Sequence, residues 1–339
     1  MSAVTKTLTN TRSPKNLRPF DPRRDLNQVA DLVELCFADT LDQDGYNYLR
    51  QMRSAARSST YMRWAGVLSD RNTMPLSGFV WEEDGQIIGN LSLIPYAGFT
   101  YSYSLIANVA VHPNYRRQGI ARSLTATAIE TARRRRAQTV WLHVRAENEA
   151  ANSLYRSLGF VQRASRTTWH SKPETNVDLF WRQGNHQSSI EKSLEIQIGR
   201  RRSSDWDVQR LWLSRLYPAS LAWHLALRNT AMQPGAMSFF YKALNNMDMR
   251  QWSARRGNRL LGVLAWQASM GYSDHLWLAV DPDGDETGVT PLLSYARKWC
   301  STRRVLSLDY PSGKAIQSII SAGFKEHQTL VWMSLELNQ

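Results

Sequence analysis

The stretch that decides the fold is Leu105–Leu124, which reads LIANVAVHPNYRRQGIARSL. Its first part is a run of apolar and β-branched residues that ends at Pro113, because proline cannot extend a β ladder. Its second part opens at Gly119 and places Ile120 and Leu124 at helical spacing. The sequence therefore predicts a strand that runs directly into a helix.

The start of this predicted helix suits an anionic ligand. The first N–H groups of a helix have no partner within the helix and lie at the positive end of its dipole, so they can hold a diphosphate. Gly119 and Ala121 leave room for phosphate oxygens to approach the backbone. Arg116, Arg117 and Arg122 add positive charge at the same place.

Two motifs resemble a known family. The pattern R-x-x-G-x-A after V-x-V-x-P resembles the acetyl-CoA-binding signature of the GNAT acetyltransferases. The segment Asn148–Phe160 resembles the family's N-x-x-A-x-x-L-Y-x-x-x-G-F helix, and the resemblance covers about Asn16–His170. It implies an α/β fold with a mixed sheet and an acetyl-CoA-dependent transfer of an acetyl group to a primary amine by direct attack.

The same resemblance implies roles for individual residues. Main-chain groups near Val109 would pair with the pantetheine arm and stabilise the oxyanion, where the two central strands part. Amides of residues 117–122 would hold the diphosphate, and Tyr155 would protonate the leaving thiolate as a general acid. The implied cofactor-binding residues are Val109, Ala110, Val111, Arg116, Arg117, Gln118, Gly119, Ile120, Ala121, Arg122, Asn148 and Asn152.

A general base cannot be read from the sequence. The predicted strand Tyr101–Val111 contains neither Asp nor Glu, although the family often has a Glu there. Water could relay the proton to Glu82, Glu83 or His143, or the amine could arrive already deprotonated.

The second half of the chain repeats the spacing of glycine and proline residues seen in the first half. The hairpin glycines of Gly85–Gly89 recur as Gly257–Gly262, and Gly119, six residues after Pro113, recurs as Gly288, six residues after Pro282. A further pair is Ala151 with Gly159-Phe160 and Ala315 with Gly323-Phe324. Three matches in the same order predict two tandem GNAT domains. We place a catalytic domain at 1–175, a linker or exchanged strand at 176–193 and a second domain at 194–339.

The second copy lacks the signature. Asp285 and Glu286 stand where Arg116 and Arg117 stand in the first copy, and carboxylates there would repel a diphosphate. Aligned on the final glycine, Ile319 replaces Tyr155. We therefore expect a degenerate, non-catalytic domain. Its acidic loop does not match an EF-hand, which requires Gly at the sixth position and Glu at the twelfth, so no metal site is expected.

Composition limits the cell compartment and the partners. The net charge of +13 favours anionic partners, which include nucleic acid. The basic runs Arg133–Arg136 and Arg200–Arg202 lack interleaved aromatic residues, however. We therefore interpret both runs as solvated surface and not as a nucleic-acid-binding surface. No apolar run reaches the roughly 20 residues that span a bilayer. Cys36 and Cys300 indicate buried thiols in a reducing compartment. We expect a cytoplasmic protein with no membrane partner and a small-molecule or peptide amine as acceptor.

Several alternatives stay open at this point. The chain could sense acyl-CoA without catalysis, or act on ribosomes or nucleic acid through its charge alone. It could also resemble the mycothiol synthase type of tandem GNAT protein, although there the C-terminal copy is the working one. The acceptor, the acyl-chain preference, the role of the second domain and the oligomeric state are not determined by the sequence.

Overall fold

The computed structural model describes residues 15–57, 77–97, 102–171, 196–225, 227–300 and 304–337. The chain forms two compact units. Unit 1 comprises Met1–Arg163 and Val331–Gln339, and unit 2 comprises Ala164–Leu330. The segment predicted as a linker or exchanged strand, 176–193, lies outside the described residues.

Unit 1 is a mixed α/β unit whose strands follow the order β1-β2-β3-β4-β5-β12. Strand β6 begins in unit 1 and ends in unit 2, whereas β12 begins in unit 2 and ends in unit 1. The elements are β1 (Leu17–Pro19), α1 (Pro22–Phe37), α2 (Gln43–Arg57), β2 (Gly78–Glu83), β3 (Gln86–Ala97), β4 (Ser102–Val111), α3 (Ile120–Arg134), β5 (Thr139–Arg145), α4 (Glu149–Ser157), β6 (Val161–Ser171) and β12 (Phe324–Glu336).

The two faces of this sheet bury two separate cores. On one face, α1 and α2 pack against Val80, Ile87 and Ala110. On the other face, α3 packs against a cluster that includes Leu91 and Ile106. A Cβ atom at Gly89 would stand 2.9 Å from a methyl carbon of Ile120, so this glycine lets α3 lie directly on β3. The close packing fixes where α3 begins.

The end of β12 completes unit 1. Val331, Met333 and Leu337 belong to the core on the α3 face. The amide of Leu337 donates to the carbonyl of Gln138 at 2.8 Å, and the hydroxyl of Thr139 donates to a carboxylate oxygen of Glu336 at 2.8 Å. Residues far apart in the chain therefore meet in one unit.

Unit 2 repeats the same order of elements, with strands in the order β6-β11-β10-β9-β8-β7. Its elements are β7 (Gln197–Arg200), α5 (Trp206–Leu216), α6 (Ala219–Ala222), α7 (Asn229–Met232), α8 (Ala236–Leu244), β8 (Met249–Arg256), β9 (Arg259–Gln267), β10 (Ser273–Ala279), α9 (Val289–Trp299), β11 (Val305–Pro311) and α10 (Ile316–Ser321). Strands β10 and β11 pair in parallel over four residues, as β4 and β5 do. The predicted mixed α/β fold and its repetition are confirmed.

A buried ion cluster fixes the start of α1. Asp25 is fully buried and accepts hydrogen bonds from Arg18 at 2.6 and 2.9 Å and from the amide of Asp21 at 2.8 Å. Burial acts to raise the pKa of Asp25, but these hydrogen bonds and the charges of Arg18 and Arg24 prevail and hold it below its ordinary value. The carboxylate therefore stabilises the folded unit while it is ionised.

Replacing Asp25 with Asn is expected to lower the free energy of unfolding by about 3 kcal/mol at pH 7, because it leaves the partly buried Arg18 without its charged partner. The lowered pKa means that the contribution is full above the unfolded-state pKa, near about 4, and is lost as the pH falls further. Thermal unfolding at pH 7 and pH 3 measures this difference. Asp39, which is exposed, supplies the control Asp39→Asn. Equal loss of stability at both pH values would contradict the assignment.

Candidate functional site

The central strands β4 and β5 part within unit 1. Their parallel register runs from Tyr103 opposite Thr139 to Ile106 opposite Leu142. Beyond that point β4 continues to Val111 and β5 to Arg145, with no further register between them in the described residues. Residues 107, 110 and 111 are thus paired with β3 on one side, and the segment 107–111 has no paired strand among the described residues on the other.

A bulge interrupts β4 at Asn108, which has a left-handed backbone with a φ of 51°. Ser92 of β3 pairs with Ala107, but Asn90 pairs with Ala110, so β4 holds one extra residue. Because of this extra residue, side chains three positions apart, Ile106 and Val109, pack against the same core. In a regular strand they would face opposite sides of the sheet.

Sequence reasoning missed this bulge. The available signal was an Asn inside an apolar, β-branched run, since Asn adopts the left-handed region more readily than other non-glycine residues. Asn108 is held there by side-chain hydrogen bonds to Tyr48 at 3.0 Å and Ser92 at 3.3 Å. Asn90 donates to its carbonyl at 2.9 Å.

The start of α3 forms an open cradle of backbone amides. Gly119 is the N-cap with a φ of 81°, and Arg117 also has a positive φ, 67°. Within the described part of the chain, no backbone carbonyl accepts a hydrogen bond from the amides of residues 117–122. A Cβ atom at Gly119 would meet no atom within 4 Å. Successive free amides at a helix start fit a diphosphate group.

The arginines around this cradle differ in their contacts. Arg116 donates from Nε to the carbonyl of Val111 at 3.3 Å, and Cys36 donates from Sγ to the same carbonyl at 3.3 Å. Arg122 donates to the hydroxyl of Ser157 at 2.6 Å, which links α3 to α4. Arg117 is exposed. Burial raises the pKa of the Cys36 thiol, and the nearby Arg116 opposes this shift.

Asn148 and Asn152 order the connection from β5 to α4. Asn148 is the N-cap of α4, and its Oδ1 accepts from the amide of Ala151 at 3.0 Å. Asn152 is buried and donates from Nδ2 to the carbonyls of Arg145 at 3.0 Å and Asn148 at 2.9 Å. Its Oδ1 is enclosed and has no hydrogen-bond partner among the described residues. A place for both side chains beside the cofactor arm stays a prediction.

Tyr155 lies on α4 with its ring buried, edge-on to Phe160 at a centroid distance of 6.0 Å. Burial raises the pKa of its hydroxyl to about 12, so the phenol is protonated at neutral pH. Desolvation is the cause of this shift. A protonated phenol of this kind can donate a proton.

The family model for acetyltransferases of the GNAT family matches residues 37–160. These residues include the parted strands, the cradle at Gly119 and Tyr155. Residues 37–160 therefore form a GNAT acetyltransferase domain.

Named relatives agree with this match. Ribosomal protein bS18-alanine N-acetyltransferase of Escherichia coli strain K12 is 41% identical over 71 residues, which are 21% of this chain and 48% of that protein. The chain therefore spans about half the length of this relative. The Haemophilus ducreyi protein of the same name is 26% identical over 136 residues, covering 40% of this chain and 90% of that protein.

A solved structure shares the fold over nearly the whole chain. The GCN5-related N-acetyltransferase from Sphaerobacter thermophilus matches with a TM-score of 0.55 and 14% identity, covering 97% of this chain and 98% of that chain. The likeness extends the GNAT fold beyond the residues that the family model matches.

The candidate bases of this GNAT domain have other partners. Glu82 forms ion pairs with Arg18 at 2.6 Å and with Arg24, so its carboxylate is held between two guanidinium groups. His143 stacks on Trp332 with a centroid distance of 4.0 Å. Glu83 is half-buried at the end of β2. The geometry singles out none of the three as a base.

In unit 2 the corresponding cradle is filled by the chain itself. Gly288 has a φ of −75°, and a Cβ atom there would stand 2.9 Å from the Cβ of Leu261. The carboxylate of Asp285 accepts from the amide of Thr287 at 2.8 Å, and that of Glu286 accepts from the amide of Ala315 at 3.1 Å. A protein carboxylate thus takes one of the amides that an anion would need at the start of α9, and a second carboxylate caps α10.

In the described residues no group of three or more His, Cys, Asp or Glu side chains is arranged to hold a metal ion. None of the helices described above is both long and apolar enough to cross a bilayer. Both cysteines are free thiols and half-buried.

Proposed function

We propose that this chain is an acetyl-CoA-dependent N-acetyltransferase that works in unit 1 and acetylates a primary amine. The observation that carries the proposal is the cradle of amides 117–122 around Gly119, beside a strand whose edge is open from residue 107 to residue 111. The first would bind the diphosphate of the co-substrate, and the second would pair with its pantetheine arm.

Acetyl-CoA supplies an activated thioester carbonyl for attack by the amine. The chain's own groups would then act on the charges that develop. The main chain at Val109 would donate to the oxyanion as the N–C bond forms and the C–S bond breaks. Tyr155 would give its proton to the departing sulfur, and the attacking nitrogen would lose a proton to water or to a base that the geometry does not single out.

The relatives support an amine on a protein as the acceptor. The two relatives described above are named as alanine N-acetyltransferases of a ribosomal protein. A peptide with an N-terminal alanine is therefore the first acceptor to test, with small-molecule amines beside it. We propose a non-catalytic role for unit 2, because Asp285 holds the Thr287 amide at the start of α9 and Glu286 adds a second carboxylate at the same place.

The competing functions make different predictions. An acyl-CoA sensor would bind the co-substrate without turning it over. A mycothiol-synthase-like enzyme would work in the C-terminal copy, but here the open cradle lies in unit 1. A nucleic-acid-binding protein would show an affinity that falls steeply with salt.

Titration calorimetry with acetyl-CoA is expected to give one site per chain, because of the two corresponding helix starts the one in unit 2 has its Thr287 amide bonded to the Asp285 carboxylate. Thiol release is then measured with an alanine-initiated peptide, a lysine peptide, a polyamine and an aminoglycoside. Turnover on one of these supports the enzyme, and binding without any turnover supports the sensor. No heat of binding would overturn the proposal, and two equivalent sites would overturn the non-catalytic role of unit 2.

A further inference from the structure

A small polar cluster lies under β4, on the face that α1 and α2 cover. It consists of Tyr48, Asn90, Ser92 and Asn108. Asn90 and Ser92 are only 2% and 7% exposed, and the core on this face is otherwise apolar. Burying such groups costs free energy unless each is hydrogen-bonded, so the cluster has to be ordered.

Asn108 is at the centre of the cluster. Its left-handed backbone costs on the order of 1 kcal/mol or more for a residue with a side chain. Its side-chain amide donates to Tyr48 and Ser92, and its carbonyl accepts from Asn90. These three bonds hold the extra residue of the bulge in one conformation.

The bulge sets the direction of the next residue, Val109. The unpaired edge of β4 begins beyond Ile106, so Asn108 lies at the point where the strand leaves β5. A misplacement of about 1 Å at a reacting centre can lower a rate by about 10²-fold. We therefore expect a change in the orientation of the Val109 main chain to affect the rate of transfer more than it affects the stability of the fold.

Tyr48 connects this point to α2. Its side chain is half-buried and accepts the hydrogen bond from Asn108. Burial raises the pKa of Tyr48 to about 12, and the bond from Asn108 only partly offsets this. The hydroxyl is thus neutral over the working pH range, so this contact does not switch on or off with pH.

We propose that Asn108 and Tyr48 are positioning residues for acetyl transfer, which fix the β4 bulge so that the Val109 main chain faces the thioester carbonyl. The proposal rests on the proposed acetyltransferase function. Neither side chain has to touch the substrate. A purely structural role would lower stability and leave the rate of the folded protein unchanged.

The first test is Tyr48→Phe, which removes one hydroxyl and keeps the ring. We expect kcat to fall about tenfold, the size of effect that a lost orienting hydrogen bond gives, while KM and Kd for acetyl-CoA stay within about twofold. Tyr46→Phe is the matched control, since Tyr46 lies on the same helix but is 43% exposed. It is expected to keep the wild-type kcat.

Two variants of Asn108 separate the effect of its backbone conformation from the effect of its side-chain hydrogen bonds. Asn108→Gly keeps the left-handed backbone accessible and removes the two side-chain hydrogen bonds, whereas Asn108→Ala also strains the backbone. Both should lower kcat, and Asn108→Ala should in addition lower the Tm more. Because Tyr48 and Asn108 share one bond, the double variant Tyr48→Phe/Asn108→Gly should be no slower than Asn108→Gly alone.

The outcomes are distinct. A wild-type protein that binds acetyl-CoA but never releases thiol overturns the proposed enzyme, and the positioning role with it. Wild-type turnover together with an unchanged kcat in Tyr48→Phe overturns the positioning role alone. A drop in Tm with kcat preserved, or fully additive losses in the double variant, also overturns it.

Discussion

Gly119→Glu is expected to abolish measurable binding of acetyl-CoA. A carboxylate beside the cradle would meet the diphosphate at about 4 Å, where a like-charge contact costs on the order of 4 kcal/mol at an effective dielectric near 20. That corresponds to an affinity about 10³-fold lower. The φ of 81° at this position adds backbone strain for any residue with a side chain. Calorimetry on the purified variant measures the loss directly.

Gly235→Glu is the matched control. Gly235 is also the N-cap of a helix, has a φ of 102°, and would place its Cβ within 4 Å of no other atom. It lies in unit 2, so the substitution should leave acetyl-CoA binding within about twofold of wild type. Gly288 is unsuitable, because a side chain there would collide with Leu261. Equal loss of binding in Gly119→Glu and Gly235→Glu would show that the cradle at Gly119 is not the site.

Tyr155→Phe is expected to lower kcat by about 10²-fold, the usual contribution of a positioned general acid, with the Kd for acetyl-CoA nearly unchanged. The ring stays, so its packing against Phe160 is kept. Tyr310→Phe in unit 2 is the control, because Tyr310 is likewise buried but lies outside unit 1. Full turnover in Tyr155→Phe would remove this residue from the acid role.

The pH dependence gives a second check on Tyr155. A phenol with its pKa raised to about 12 is protonated, and therefore able to donate, at every pH below that value. An unperturbed tyrosine would lose its proton near about 10. Between pH 8 and about pH 10.5, ionisation of the Tyr155 hydroxyl should therefore not lower the wild-type kcat. A decline centred near pH 9–10 that disappears in Tyr155→Phe would contradict the burial-raised pKa.

Much of the fold follows from local sequence. Strand β5 spans Thr139–Arg145, an apolar run with polar residues at both ends, so local sequence alone predicts a strand here. The hairpin at Asp84-Gly85 is present, with both residues at positive φ as a tight two-residue turn requires. Helix α3 starts one residue after Gly119, as its apolar spacing indicates.

Features that depend on distant contacts did not follow from the sequence. The bulge at Asn108 depends on Tyr48, 60 residues earlier, and on two residues of β3. The capping of α10 by Glu286 depends on a contact across 29 residues, although the carboxylate itself was expected to exclude a diphosphate. Periodicity and turn chemistry report on near neighbours, so they could not reveal either contact.

The position of β12 also affects how the protein is made. Residues Val331, Met333 and Leu337 belong to the core of unit 1, and Leu337 is bonded to Gln138. The N-terminal half leaves the ribosome first, but its core is complete only after β12, the last strand, has been synthesised. Expressing residues 1–175 alone would therefore yield a frayed, aggregation-prone fragment. For the same reason, a premature stop codon in the second half of the gene would also prevent unit 1 from completing its core.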